Sequence, residues 1–178
     1  IADANGCAIT ATYTLVDPSP IVASYIFTPP TCHGGTNASV DVTVSGGFAP
    51  YSYQWYSGPI SQDLVNVPAG NDTLYIVDAN NCPHSLPITV TQPDSLQLQF
   101  NVTNIACFGT LTGAIDLTVT GGTPGYGFVW NNGETTEDID TLNIGWYNVL
   151  VTDINGCQIT STITLTEPTQ FSYTETLS

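Results

Sequence analysis

The sequence predicts an all-β chain built as tandem antiparallel β-sandwiches. Three observations carry that expectation. A 75-residue period runs through the 178 residues without a gap. Apolar and polar residues alternate over short segments, and no segment keeps a helical period. The cysteines recur with the period. A fixed period of this length marks an array of similar units.

The period is legible at many positions. Cys7, Cys82 and Cys157 stand one period apart, as do Cys32 and Cys107. The same offset carries Asp3 onto Asp78 and Asp153, and Pro18 onto Pro93 and Pro168. It carries Gly46-Gly47 onto Gly121-Gly122, Tyr51 onto Tyr126, and Trp55 onto Trp130. Residues 21–95 and 96–170 share 20 identities in 75 positions. The expected organisation is a C-terminal remnant of one repeat (1–19), two complete repeats (20–94 and 95–169), and the first strand of a further one (170–178).

Each repeat reads as a series of strands. A first strand is expected near 21–28 and 96–103. In the next, Val40, Val42 and Val44 alternate with Asp41, Thr43 and Ser45; one period later, Ile115, Leu117 and Val119 alternate with Asp116, Thr118 and Thr120. Period-two alternation gives one buried and one wet face. Segments 51–55 and 126–130 point Tyr51, Tyr53 and Trp55, or Tyr126, Phe128 and Trp130, inward. Segments 72–77 and 147–152 follow, then 83–91 and 158–166, with 8–16 as a further copy of the last. Gly46-Gly47, Asn80-Asn81, Asn132-Gly133 and Asn155-Gly156 supply the turns. Pro87 calls for an edge position, because proline cannot donate to a ladder. About seven short strands per repeat, a disulfide and a mid-chain Trp make each repeat an immunoglobulin-like antiparallel sandwich.

Repeats of this length are small for a stable core, and a covalent staple is the usual remedy. Cys32 and Cys82 are 50 residues apart, and so are Cys107 and Cys157. The natural reading is one disulfide inside each repeat, Cys32–Cys82 and Cys107–Cys157, with Cys7 pairing to a cysteine upstream of the segment. Closing a 50-residue loop stabilises by roughly 4 kcal/mol in the chain-entropy account. Such bonds imply an oxidising, extracytoplasmic location. Metal binding is the rival reading, but the sequence has no C-x-x-C spacing.

Charge removes several function classes. With 15 acidic residues and no Lys or Arg, the net charge is −15. Nothing can neutralise a phosphate, so nucleic acid and anionic membrane surfaces are poor partners, and no nucleic-acid partner is expected. No stretch approaches the ~20 apolar residues of a membrane helix, so no membrane insertion of this segment is expected. Catalysis finds no footing either: there is no G-x-S-x-G, no H-E-x-x-H and no Lys for Schiff-base chemistry. The chain is read as no enzyme and as needing no cofactor.

A few residues invite a functional reading. Trp146 alternates away from Tyr147 and should point outward, a candidate contact for a neighbour or ligand. His33 and His84 flank Cys32 and Cys82, so they are weak zinc candidates if that bond forms; the plainer reading is one solvent-facing and one half-buried histidine. Glu134, Glu137, Asp138 and Asp140 cluster in a loop-rich stretch and are weak calcium candidates without an EF-hand spacing. Asp78 and Asp153 precede turns and should make Asx-type bonds.

The runs GGFAPYSYQW (46–55), GGTPGYGFVW (121–130) and LNIGWYNVLVTDINGCQITSTITLTEP (142–168) resemble the SprB repeat of very large Bacteroidetes cell-surface adhesins. The resemblance covers nearly the whole chain. The first complete repeat departs from it, with Asp72 where the next has Tyr147 and Asn81 in place of a Gly. The resemblance implies an exported, extracellular, surface-displayed filament or stalk, delivered by type IX secretion and serving adhesion and gliding motility. Its implied partners are neighbouring repeats, a surface polysaccharide or substratum, and the secretion and gliding machinery. It also implies O-glycosylation in Asp-Ser/Thr-apolar triplets, here at Thr73, Ser95 and Thr141. The alternative is a carbohydrate-binding accessory module of a secreted enzyme, acting through Trp146.

Overall fold

The computed structural model describes residues 1–2, 4–14 and 17–173. Twelve antiparallel strands and no helix make up the described chain. The first repeat contributes β1 (Val22–Thr28), β2 (Ala38–Ser45), β3 (Ser52–Trp55), β4 (Leu64–Val67), β5 (Gly70–Val77) and β6 (Pro83–Val90). The second contributes β7 (Gln97–Thr103), β8 (Gly113–Thr120), β9 (Gly127–Trp130), β10 (Ile139–Leu142), β11 (Gly145–Thr152) and β12 (Gln158–Leu165). Every strand of the second set begins one full period after its counterpart.

The sheets repeat as well. One pair has the orders β1-β2-β4 and β3-β5-β6, and the other has β7-β8-β10 and β9-β11-β12. This three-on-three Greek-key order is immunoglobulin-like, with six strands per repeat rather than about seven. The strands that pattern reading passes over are β4 and β10. Each has four residues, and each ladder shifts register, between Ala38 and Ser39 and between Ile139 and Leu142. Asn66 and Thr141 interrupt them with φ of 57° and 56°. A bulge of this kind breaks the alternation that announces a strand.

The core of the second repeat is built from both of its sheets. Ile115 and Leu117 of β8 and Ile139 and Leu142 of β10 face Trp130, Tyr147, Val149, Val151, Ile163 and Leu165 of the other sheet. Partly buried Leu98, Phe100, Val102 and Phe128 close its sides. The register Val149↔Trp130 and Val151↔Phe128 places these side chains on one face. Trp130 donates its indole N–H to the Thr136 carbonyl at 2.9 Å, so its single polar atom is satisfied inside the core. In the first repeat Trp55 does the same with Ser61, at 2.8 Å. Both indoles are therefore structural. β6 lies at the edge of its sheet, where Pro87 is tolerated.

The chain divides into two compact units. One comprises Ile1–Tyr25, Val42–Gln62 and Asp72–Ile88; the other comprises Ile26–Asp41, Asp63–Asn71 and Thr89 onward. Near the start, Ala2 and Ala8 form an isolated antiparallel bridge, and residues 9–14 carry no ladder. The strand expected over 8–16 therefore does not form in its described part, because a period-two segment needs a neighbouring strand to satisfy its backbone. Asp3, Leu15, Val16 and residues 174–178 of the expected terminal strand lie outside the described residues.

Candidate functional site at the repeat boundary

The cysteines do not pair inside the repeats. Cys32, in the connection after β1, bonds Cys157, in the turn between β11 and β12, with a Cα–Cα distance of 5.6 Å and a sequence separation of 125. This corrects the expected Cys32–Cys82 and Cys107–Cys157 bonds. Cys32 is committed to Cys157 and cannot also bond Cys82. Within the second repeat the geometry forbids the other pair. Cys157 lies beside Ser95 and Leu96, just before β7 begins. Cys107 lies beyond the other end of that seven-residue strand. At about 3.3 Å per residue, β7 alone spans roughly 23 Å, and a disulfide needs Cα atoms within about 7 Å. Cys82 and Cys107 are exposed free thiols.

The turn that presents Cys157 is organised by Asp153, which is 4 % exposed. Its Oδ1 accepts the backbone N–H groups of Asn155 and Cys157, both at 2.9 Å, and its Oδ2 accepts that of Thr123 at 2.8 Å. Burial pushes the Asp153 carboxyl up, but the donors from Thr123, Cys157, Asn155 and Gly156 outweigh it, so its pKa is lowered. Asp78 repeats the arrangement with Asn80 at 2.9 Å, Cys82 at 2.8 Å and Phe48 at 3.0 Å. The Cys82 backbone N–H is the main cause of its lowered pKa. The Asx-type bonds expected of both residues are present. Asn81, which replaces a glycine of the second repeat, takes φ of 63°, a left-handed conformation that asparagine tolerates.

The Gly-Gly pair holds the same place from the other side. Gly121 has φ of 73°, and a Cβ there would lie 2.0 Å from the Ser95 carbonyl oxygen. Gly122 donates to the Asp94 carbonyl at 2.8 Å, and Tyr126 donates its hydroxyl to Gly121 at 2.7 Å. Only glycine permits this approach. The chain entering the second repeat, the Gly-Gly turn and the cysteine turn are thereby tied together. In the first repeat, Gly47 donates to Ser19 at 2.9 Å and Tyr51 donates to Gly46.

The loop carrying Cys32 sits against this turn. Asn155 reaches the Thr31 carbonyl at 3.4 Å, and His33 Nδ1 lies 3.2 Å from the Pro93 carbonyl. Gly34 donates to Gln92 Oε1 at 2.8 Å. A groove beside the bond is lined by His33, Asp94, Ser95, Leu96, Gln158 and Ile159.

The other candidates fall elsewhere. His33 is exposed and shares this groove with Ile159, and His84 is half-buried beside Cys82, so no Cys32–Cys82 bond gathers the two imidazoles. Glu134, Asp138 and Asp140 line an open groove with Asp116, of which Glu137 is not a part. Asp138 is already engaged, accepting the Leu117 N–H at 2.9 Å. Among the described residues no three His, Cys, Asp or Glu side chains converge as a metal-binding set. Trp146 is 63 % exposed on β11, opposite Thr164. Thr141 is exposed, whereas Thr73 and Ser95 are half-buried. No helix among the described residues is long and apolar enough to cross a membrane.

Several solved structures are similar at low identity. The N-terminal eight Ig domains of Down Syndrome Cell Adhesion Molecule match at 14 % identity and a TM-score of 0.39, covering 84 % of this chain and 25 % of that one. The C-terminal 282-residue fragment of intimin, solved with the intimin-binding domain of its translocated receptor, matches at 12 % and 0.43, covering 84 % and 64 %. DIP-gamma IG1+IG2 matches at 9 % and 0.43, covering 83 % and 98 %. The chain thus spans a quarter of the first of these and just under two thirds of the second. No curated protein matches the chain. The SprB repeat model matches at residues 24–59 and again at 99–135, starting one period apart on equivalent strands.

Proposed function

We propose that this segment is a non-catalytic, load-carrying stretch of a giant surface-exposed adhesin, exported to the cell surface by type IX secretion and serving adhesion and gliding motility. The observation that carries the proposal is the Cys32–Cys157 bond, which crosses the repeat boundary. A staple within one repeat would protect that repeat alone. A staple across the boundary keeps neighbouring repeats joined when the chain is pulled. Immunoglobulin-like SprB repeats fit a surface adhesin segment, and the absence of Lys and Arg leaves trypsin-like proteases no site in these 178 residues.

Pulling single molecules tests the mechanical part. The 125-residue separation should hide up to ~450 Å of extension, at roughly 3.6 Å per residue, until a reductant is added. Equal extension with and without reductant refutes it. Antibody labelling of intact cells tests display, and attachment of cells lacking the segment tests adhesion. A second reading rests on Trp146, whose exposed indole could stack on a sugar. Glycan binding that disappears in Trp146→Ala would favour a carbohydrate-binding module instead.

A further inference from the structure

The boundary disulfide leaves two unmatched halves of itself. Cys82 is the counterpart of Cys157 one period earlier, and Cys107 is the counterpart of Cys32 one period later. We infer that Cys82 and Cys107 are docking points for further copies of this repeat. Cys82 receives the loop cysteine of one copy, and Cys107 bonds the turn cysteine of another, so that every boundary in an array is closed by the same bond. The inference concerns how repeats link and stands whether or not the segment serves adhesion.

Both halves are already shaped for the bond. The Cys107 loop is folded like the Cys32 loop. Gly109 donates to Glu167 Oε2 at 3.0 Å, as Gly34 does to Gln92. Thr110 donates to the Cys107 carbonyl at 3.1 Å, as Gly35 does to Cys32 at 3.0 Å. Ala106 donates to Thr112 at 2.9 Å, as Thr31 does to Asn37 at 3.1 Å. Gly109 and Gly34 share φ of 72° and 73°.

The Cys82 turn matches the Cys157 turn just as closely. Asp78 holds Cys82 as Asp153 holds Cys157. The groove beside Cys82 is lined by Ser19, Pro20, Ile21, Pro83 and His84. These are the counterparts of Asp94, Ser95, Leu96, Gln158 and Ile159, on which the Cys32 loop is seated. The Cys32 loop forms one wall of the first groove, and among the described residues no loop cysteine takes that place beside Cys82. Phe108, beside Cys107 and 49 % exposed, occupies the His33 position and would face His84 across the new boundary.

The chemistry balances by exchange. Two thiols lose two protons and two electrons to an external small-molecule disulfide, which is released as two thiols. Loop and turn are different surfaces, so the contact is head-to-tail and propagates rather than closing on itself.

The test uses the 178-residue chain with Cys7→Ser, to remove a competing thiol, at millimolar protein with oxidised glutathione. Two variants are added, Cys82→Ser and Cys107→Ser, neither at a buried position. Mixed, they should give a covalent dimer joined from Cys107 of the first to Cys82 of the second. That dimer should outnumber each homodimer by at least tenfold, and a reductant should release it. Chymotryptic mapping of the unreduced dimer identifies the bond. Statistical mixtures of hetero- and homodimers, glutathione adducts alone, or exchange that breaks Cys32–Cys157 would each overturn the inference.

Discussion

Gly121 offers the sharpest test of the boundary geometry, because a control sits on the same chain. Gly121 and Gly133 both have positive φ, 73° and 94°. An alanine at either position pays about 1–2 kcal/mol for a left-handed backbone. At Gly133 that is the whole cost, since nothing lies within 4 Å of the added Cβ. At Gly121 the Cβ would lie 2.0 Å from the Ser95 carbonyl oxygen. Real Cβ contacts do not fall below 3.0 Å, so the alanine Cβ and the Ser95 backbone must move apart. That movement strains the Gly122–Asp94 bond of 2.8 Å and the Tyr126–Gly121 bond of 2.7 Å. At about 1 kcal/mol net for each bond lost, Gly121→Ala should cost roughly 3–4 kcal/mol, against about 1–2 for Gly133→Ala. The gap of about 2 kcal/mol corresponds to a further 4–8 °C in Tm for a chain of this size. Urea and thermal unfolding of both variants measure it. If the two variants differ by less than about 0.5 kcal/mol, the spread of an ordinary surface substitution, the close approach at Ser95 is wrong.

Other expectations follow from the same geometry. Cys32→Ser, or a reductant, should lower stability by roughly 5 kcal/mol, the chain-entropy value for a loop near 125 residues; denaturant unfolding checks it, and an unchanged midpoint contradicts the bond. Asp78 and Asp153 have lowered folded-state pKa values, so their contribution is complete above the unfolded value of about 3.9 and is lost as pH falls through the folded one. Urea midpoints should therefore drop on acidification below about pH 4, and Asp153→Asn should flatten part of that drop. Trp130→Ala should cost about 3–5 kcal/mol, whereas exposed Trp146→Ala should stay within about 0.5 kcal/mol. Reversed ranks would mean that the two indoles have exchanged roles.

Much of the fold is written in local pattern. The alternation of Val40, Val42 and Val44, and of Ile115, Leu117 and Val119, is the physical cause of a half-buried strand, so reading it forward recovers β2 and β8. Asp153 before Asn155-Gly156 is likewise a local device, and its bonds appear as expected. What local pattern cannot hold is a contact whose partner is chosen by geometry. β4 and β10 exist because β2 and β8 need a neighbour, and their bulges erase the alternation that would reveal them. The approach of Gly121 to Ser95 leaves its trace only as a glycine pair that recurs.

The disulfide shows why a repeat can mislead about its own staples. A period fixes cysteine pairing only up to whole repeats. Separations of 50 and of 125 differ by one period of 75, and both link every loop cysteine to a turn cysteine in an unbroken array. Sequence spacing favours the shorter loop because it keeps the bond local. Strand geometry decides the other way: a strand carries its two ends apart, so the loop after β7 and the turn beside its start cannot meet. The end of one repeat must lie near the start of the next, and there the loop of the first finds the turn of the second. Two cysteines at opposite ends of a β-repeat therefore point outward along the array. A staple so placed ties one repeat to the next rather than closing either repeat on itself.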